Sequence, residues 1–200
     1  FSGLIAGTTY SWINNTPSIG LAASGTGNIA AFNAINNSNS AVTATITVTP
    51  LFNNCPGAPR NLSIIVKPAP IVVQPHNQAL CNGAATTDIV FSSTQVASTY
   101  TWTNNTPSIG LAASGTGNIG SFNTINTTDT TITALITVTA TANGCVGNSR
   151  NAAITVNPTP NVIANNDFNV CRGSTVHLLA SGAAQYSWNP ATGLSCDDCA

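Results

Sequence analysis

Residues 131–142, TITALITVTATA, alternate apolar and polar side chains. Ile132, Ala134, Ile136 and Val138 fall on one face, and Thr133, Thr137 and Thr139 on the other. A period of two predicts a strand with one buried face. Four further runs read the same way: IVVQ (71–74), TTDIVFSS (86–93), STYTWTN (98–104) and NAAITVN (151–157). Tyr100 and Trp102 share a face of the third of these, and Asn143-Gly144 supplies a turn before the last. No segment has a helical period. Strands at this spacing predict a seven-strand sandwich of immunoglobulin type, with the buried Trp on its third strand.

The pattern occurs more than once. A shift of 90 residues superimposes Tyr10 on Tyr100, Trp12 on Trp102, Cys55 on Cys145 and Arg60 on Arg150 without a gap. Thr9–Arg60 and Thr99–Arg150 share 33 of 52 positions, and NNTPSIGLAASGTGNI is identical at Asn14–Ile29 and Asn104–Ile119. The register continues through Val66/Val156, Pro68/Pro158, Pro70/Pro160 and Cys81/Cys171. A repeat of this length is one small sandwich domain, too long for a solenoid turn. VKPAP (66–70) and VNPTP (156–160) mark the boundaries, because proline cannot continue a central ladder and paired prolines favour an extended link. The expected organisation is all-β: the rear part of one module in residues 1–68, a complete module in 69–158, and the front part of a divergent module in 159–200. The chain is thus expected to be a window on something longer.

Charge alters the functional outlook more than the fold. Only 4% of residues are charged, with five Asp, no Glu, one Lys and three Arg. An ordinary soluble domain carries about 25%. The polar surface comes from 29 Thr and 26 Asn, with Ser and Gly behind them. Thr suits a pleated surface and Asn and Gly suit turns, in agreement with an all-β chain. Four scattered cations cannot form the basic stripe that phosphate neutralisation needs, so no nucleic-acid partner is expected. No apolar run approaches the roughly 20 residues of a membrane span.

Candidate chemistry is sparse. SGTGN (24–28 and 114–118) resembles a phosphate loop only in its glycines, since no helix or Lys follows. It reads as a connection between strands. His76 has no acid or nucleophile beside it, and His177 lies on a strand-like run. The five Asp form no D-x-D calcium loop, and nothing selects Asp88 and Asp129 as a hydrolytic pair. No catalytic residue, cofactor or metal is expected. Tyr10, Trp12, Tyr100, Trp102, Tyr186 and Trp188 are the expected core anchors.

Six cysteines without a His/Cys cluster point to disulfides and an oxidising, extracytoplasmic setting. Cys196 and Cys199 are expected to close a local loop, since one C-x-x-C supplies only two of the four ligands that zinc needs. Two pairings of the other four keep the repeat. Cys55–Cys81 and Cys145–Cys171 would bridge linkers. Cys81–Cys145 would instead give each module its own pair, leaving Cys55 and Cys171 to partners elsewhere. The second is the pairing expected here, although the two turns concerned lie at opposite ends of an immunoglobulin topology. Free thiols are the third outcome.

TYTWTNNTPSIGLAASGTGNI, followed by ITALITVTATANGCVGNSRNAAITVNPTP, resembles the PKD-like and Ig-like modules repeated in giant cell-surface proteins of Bacteroidota. Gliding-motility adhesins of the SprB type are the best-known members. VCRGSTVHLLASGAAQYSWNPATGLSCDDCA is similar to a neighbouring Ig-like module of those proteins, in which a GLSC-x-x-C segment recurs. The resemblance spans essentially the whole chain. It implies export by the type IX secretion system, display on the outer cell surface and a structural role as part of an adhesin stalk. It implies no catalysis. Asp129-Thr130-Thr131 resembles the short acceptor for O-glycosylation in this bacterial group, which marks Thr130. Neighbouring modules are the expected partners. Thr-rich, uncharged edges have few guards against pairing, so lateral filament contacts or surface glycans are further candidates. The competing expectation is a set of carbohydrate-binding or spacer modules in a secreted multidomain enzyme.

Overall fold

The computed structural model describes residues 1–3 and 5–196 of the chain. Its strands are β1 (Thr9–Asn14), β2 (Ser24–Thr26), β3 (Val42–Phe52), β4 (Cys55–Pro56), β5 (Arg60–Val66), β6 (Gln78–Cys81) and β7 (Thr99–Asn104). They continue as β8 (Ser114–Thr116), β9 (Ile132–Ala142), β10 (Cys145–Val146), β11 (Arg150–Asn157), β12 (Ile163–Ala164) and β13 (Ala180–Ser181). The only helical pieces among the described residues are two 3-10 turns, Pro17–Ile19 and Pro107–Ile109.

The repeat is visible in the sheets. In the second unit β6, β11, β9, β7 and β8 lie side by side in that order, with β6 parallel to β11. The first unit has the corresponding β2-β1-β3-β5 ladder. The longest strand of the second unit, β9, sits centrally, paired with β11 on one side and β7 on the other. β9 places Ala134, Ile136 and Val138 fully inside, and β11 adds Ile154 and Val156. Each of the large aliphatic side chains contributes about 1.5–3 kcal/mol by leaving water. β9 then turns through Asn143 (φ 54°) and Gly144 (φ 78°) into β10. Two central residues with positive φ suit the right-handed twist of the flanking strands, which is why Asn-Gly occupies the turn.

A second layer closes the second unit. Residues 71–73, 84–93 and 119–124 form it through the bridges Val72–Ser93, Ala85–Asn123 and Ile89–Ile119. Backbone bonds tie it together, including Ile89 N–H to Ile119 O (2.8 Å), its reciprocal (3.1 Å) and Thr86 N–H to Phe122 O (2.9 Å). Val72, Ile89 and Phe91 pack from this layer onto Trp102, Ile136 and Ile154. The chain is therefore all-β and immunoglobulin-like, and its second unit has two layers face to face over one core, with Trp102 on β7.

The cysteine geometry corrects the pairing expected from the sequence. Cys55, Cys81, Cys145 and Cys171 are all free thiols, so Cys81–Cys145 is not formed. Cys81 lies opposite Asn157 at one end of β11, and neighbouring Val156 is opposite Ile132. Cys145 lies opposite Ala142 at the other end of β9. Ten residues of strand separate the two levels, roughly 33 Å, whereas a disulfide needs Cα atoms within about 7 Å. The linker-bridging alternative fails for a related reason. Cys55 is opposite Phe52, and the linker leaves from Val66, opposite Val42 at the far end of β3. Cys196 is disulfide-bonded, and Cys199, the partner expected for it, lies outside the described residues.

Candidate functional site

The identical stretch Asn14–Ile29 and Asn104–Ile119 is the strongest sequence candidate for a binding site. It leaves the end of the Trp strand, makes one 3-10 turn, returns as β2 or β8 along the same strand, and enters the second layer. Nearly every step is fixed by a bond within the unit.

Asn104 is buried, and its Nδ2 donates to Leu111 O at 3.0 Å. Its Oδ1 accepts the Thr106 N–H at 2.9 Å. Asn14 repeats both bonds, at 3.0 Å to Leu21 O and 2.9 Å from Thr16 N–H. A buried side chain that satisfies two backbone groups acts as a clamp on the loop. The next residue reaches sideways: Asn105 Oδ1 accepts the Leu135 N–H at 2.7 Å, and Asn15 Oδ1 accepts the Thr45 N–H at 2.8 Å. The loop is thus tied to the central strand of its own sheet.

Pro107 opens the 3-10 turn, where its fixed φ suits the conformation and its missing N–H costs nothing. Ile109 and Ile19 drop fully into their cores. Gly110 follows at φ 97°, and a Cβ there would lie 2.6 Å from Asn123 O. Both the left-handed backbone and the close approach require glycine. Gly25 and Gly115 meet a different constraint, lying flat against the indoles of Trp12 and Trp102. Asn118 Oδ1 accepts the Phe91 N–H at 2.9 Å, and Asn28 Oδ1 does the same for the Phe1 ammonium. Of the repeated letters, Ser18, Ala22, Ala23 and Ser24 with their counterparts are exposed. Nothing in the structure explains their identity.

The other candidates are dispersed. Tyr10 and Tyr100 are half-buried, Trp12 and Trp102 are 7% and 8% exposed, and Tyr186 and Trp188 are half-buried outside either core cluster. Asp88 accepts the Ser121 N–H at 2.7 Å. Asp129 and Thr130 are exposed in the turn before β9, and the Thr130 carbonyl accepts from Asn126 Nδ2 at 2.9 Å. His76 and His177 are exposed. Among the described residues no three His, Cys, Asp or Glu side chains gather where they could hold a metal. No helix of the described residues is long and apolar enough to cross a membrane.

A second clamp escaped the reading of the sequence. Asn126 is buried, and its Nδ2 also donates to Val156 O at 2.8 Å. Asn36 does the same to Val66 O at 2.7 Å. Each asparagine pins a turn to the last residues of the sheet, just before the proline linker. The signal was present: Asn36 and Asn126 are retained in a segment whose following five residues all differ between copies.

Side chains also cross the linkers. Lys67 Nζ donates to Asn143 O at 3.3 Å, and Gln95 Nε2 donates to Asn39 O at 3.0 Å. Beyond the second unit, Asn82 Nδ2 donates to Thr159 Oγ1 at 3.0 Å. A shallow cavity at that junction is lined by Asp129, Pro158, Thr159, Asn161 and Gly182.

No protein-family model matches the chain, and no curated protein matches it. Among solved structures, the chain is similar to one in the crystal structure of Dpr2 Ig1-Ig2 in complex with DIP-Theta Ig1-Ig3. The identity is 10% and the TM-score 0.31, over 80% of this chain and 60% of that one. The immunoglobulin-like assignment rests on the strand order and the two-layer packing described above.

Proposed function

We propose that the chain is a structural repeat segment, part of the stalk of a large secreted cell-surface adhesin. The observation that carries this reading is the fate of the duplicated stretch. Its buried and positive-φ residues are used within their own unit, and the bonds that leave a unit run to the next one along the chain. Such modules act mechanically, each adding roughly 35–40 Å of strand length to the reach of a distal tip. The sequence resemblance supports an extracellular, filament-forming context associated with attachment or gliding motility.

The competing carbohydrate-binding reading needs aromatic platforms on an accessible face. Both unit tryptophans point inward instead, and the outward positions of β7 and β9 are mostly Thr. A glycan array probed with the whole chain separates the two. The stalk reading expects no saturable binding. Saturable binding to a defined glycan that is lost on Ser108→Arg would replace it with a lectin-like role.

A further inference from the structure

Asn-Gly occurs twice in the chain, at Asn82-Gly83 and Asn143-Gly144, and the structure treats the two pairs in opposite ways. In such a pair the glycine main-chain nitrogen can attack the asparagine side-chain carbonyl, because no Cβ crowds its approach. Asn82 is half-buried and held at both ends of its amide. Its Oδ1 accepts the Asn126 N–H at 2.9 Å, and its Nδ2 donates to Thr159 Oγ1 at 3.0 Å. The nucleophile is engaged as well, since the Gly83 N–H donates to Thr124 O at 2.8 Å. Attack at this pair requires all three bonds to open first.

Asn143 and Gly144 are both exposed, at the tip of the β9–β10 hairpin. Neither the Asn143 side chain nor the Gly144 N–H is hydrogen-bonded within the described residues. The space beside Gly144 is open, for a Cβ there would meet nothing within 4 Å. The φ values of 54° and 78° are those of a type I′ turn. The peptide joining its two central residues takes no part in the ladder, which closes through Ala142 and Cys145. Rotating that peptide alone carries the turn to type II′, in which ψ of the first central residue is about −120°. At that angle the Gly144 nitrogen eclipses the Asn143 Cβ and lies within reach of Cγ. The conformer is strained for a residue with a Cβ and so is sparsely populated, but the strand pairs on either side stay intact. The corresponding turn of the first unit is Asn53-Asn54, where the Asn54 Cβ crowds the attacking nitrogen.

We infer that Asn143-Gly144 is a self-modification site, at which the Asn143 amide becomes a carboxylate beside Lys67. The Gly144 nitrogen gives its proton to hydroxide and bonds to Asn143 Cγ. The Cγ–Nδ2 bond breaks, and ammonia leaves with a proton taken from water, which restores the hydroxide. Water then opens the cyclic imide at either carbonyl, to aspartate or to isoaspartate with the main chain rerouted through the side chain. The sum is one water consumed and one ammonia released, with no change of oxidation state. The position gives the reaction a consequence. Lys67, the one lysine of the chain, reaches across the linker from the first unit and donates through Nζ to Asn143 O at 3.3 Å. A new negative charge at this point turns a neutral contact between the units into an ion pair that salt weakens. The inference is independent of the stalk reading.

The test is incubation of the whole chain in warm, mildly alkaline buffer. Peptide mapping by mass spectrometry follows the loss of each asparagine, and isoaspartyl methyltransferase marks the rerouted product. Asn143 is expected to convert in the native chain, with Asn82 slower by roughly tenfold or more because its three bonds must open. In the chain unfolded in urea the two are expected to convert at comparable rates. Equal rates in the native chain, or a native Asn143 still intact when the unfolded chain has reacted, would overturn the inference. A chain labelled in lysine gives one side-chain NMR signal, that of Lys67. It is expected to shift as product accumulates, and to shift less at high salt. A signal that stays in place would overturn the link to the joint between the units.

Discussion

Gly115 packs against the indole of Trp102 so closely that a Cβ on it would sit 2.7 Å from Cε2 and closer still to Cζ2. Gly25 holds the same relation to Trp12. The indole is rigid and enclosed, and its Nε1–H is buried without an acceptor, so the ring has little freedom to retreat. Gly115→Ala is therefore expected to destabilise the second unit by about 1–3 kcal/mol, the usual cost of overpacking. Urea denaturation followed by Trp fluorescence measures it. A loss below about 0.5 kcal/mol, the range of neutral surface changes, would show that the contact relaxes.

The Asn104 clamp leads to a sharper contrast. Asn104→Ala leaves the part-buried Leu111 carbonyl and Thr106 N–H without this partner, with an expected cost of about 1–3 kcal/mol. Ser108→Ala, four residues on and equally part of the identical stretch, is exposed. Its expected effect is within about 0.5 kcal/mol. Paired denaturation curves for the two variants measure how far structural constraint accounts for the repeated letters. Equal losses would mean that the loop has a constraint the fold does not reveal.

The duplicated stretch was legible in sequence as a strand-to-strand connection, but its tolerances were not. Alternation exposed β7, β9 and β11 because one face of each is buried, and period two records that directly. The second layer was harder to place. Residues 86–93 were read as a strand, but the layer pairs only through isolated bridges, and Ile119, between Asn118 and Gly120, has no period to mark it. Gly115 could not be read at all, since its requirement comes from Trp102 across a strand pair. The cysteines show the opposite limit. Spacing admitted several pairings, and only the levels of Cys81 and Cys145 on the sheet exclude the one that looked simplest.

Those levels make the thiols testable in solution. Cys55, Cys81 and Cys171 are exposed and Cys145 is half-buried, all unpaired. Maleimide labelling of the native chain without reductant is expected to modify all four, with Cys145 slowest because reaction requires access to the thiolate. Intact-mass spectrometry counts the adducts and peptide mapping locates them. Protection of Cys81 together with Cys145 would contradict the separation of the two strand ends.

The hairpins at the ends of β3 and β9 differ by one informative letter. Asn53-Asn54 turns at φ 46° and 63°, where the second unit has Asn143-Gly144 at 54° and 78°. Left-handed backbone disfavours a residue with Cβ, and Asn tolerates it better than most without matching glycine. Asn54→Gly should relieve that conflict in the folded hairpin. The added freedom of the unfolded chain offsets part of the gain. The net expectation is stabilisation of the first unit by about 0.5 kcal/mol, while the reverse change, Gly144→Asn, destabilises the second by a similar amount. Amide exchange at β3–β5 and β9–β11 reads the two units separately within one chain. Slower exchange in β3–β5 of Asn54→Gly, with β9–β11 unchanged, is the expected pattern, and faster exchange there would show that Asn54 makes a contact the turn geometry does not require.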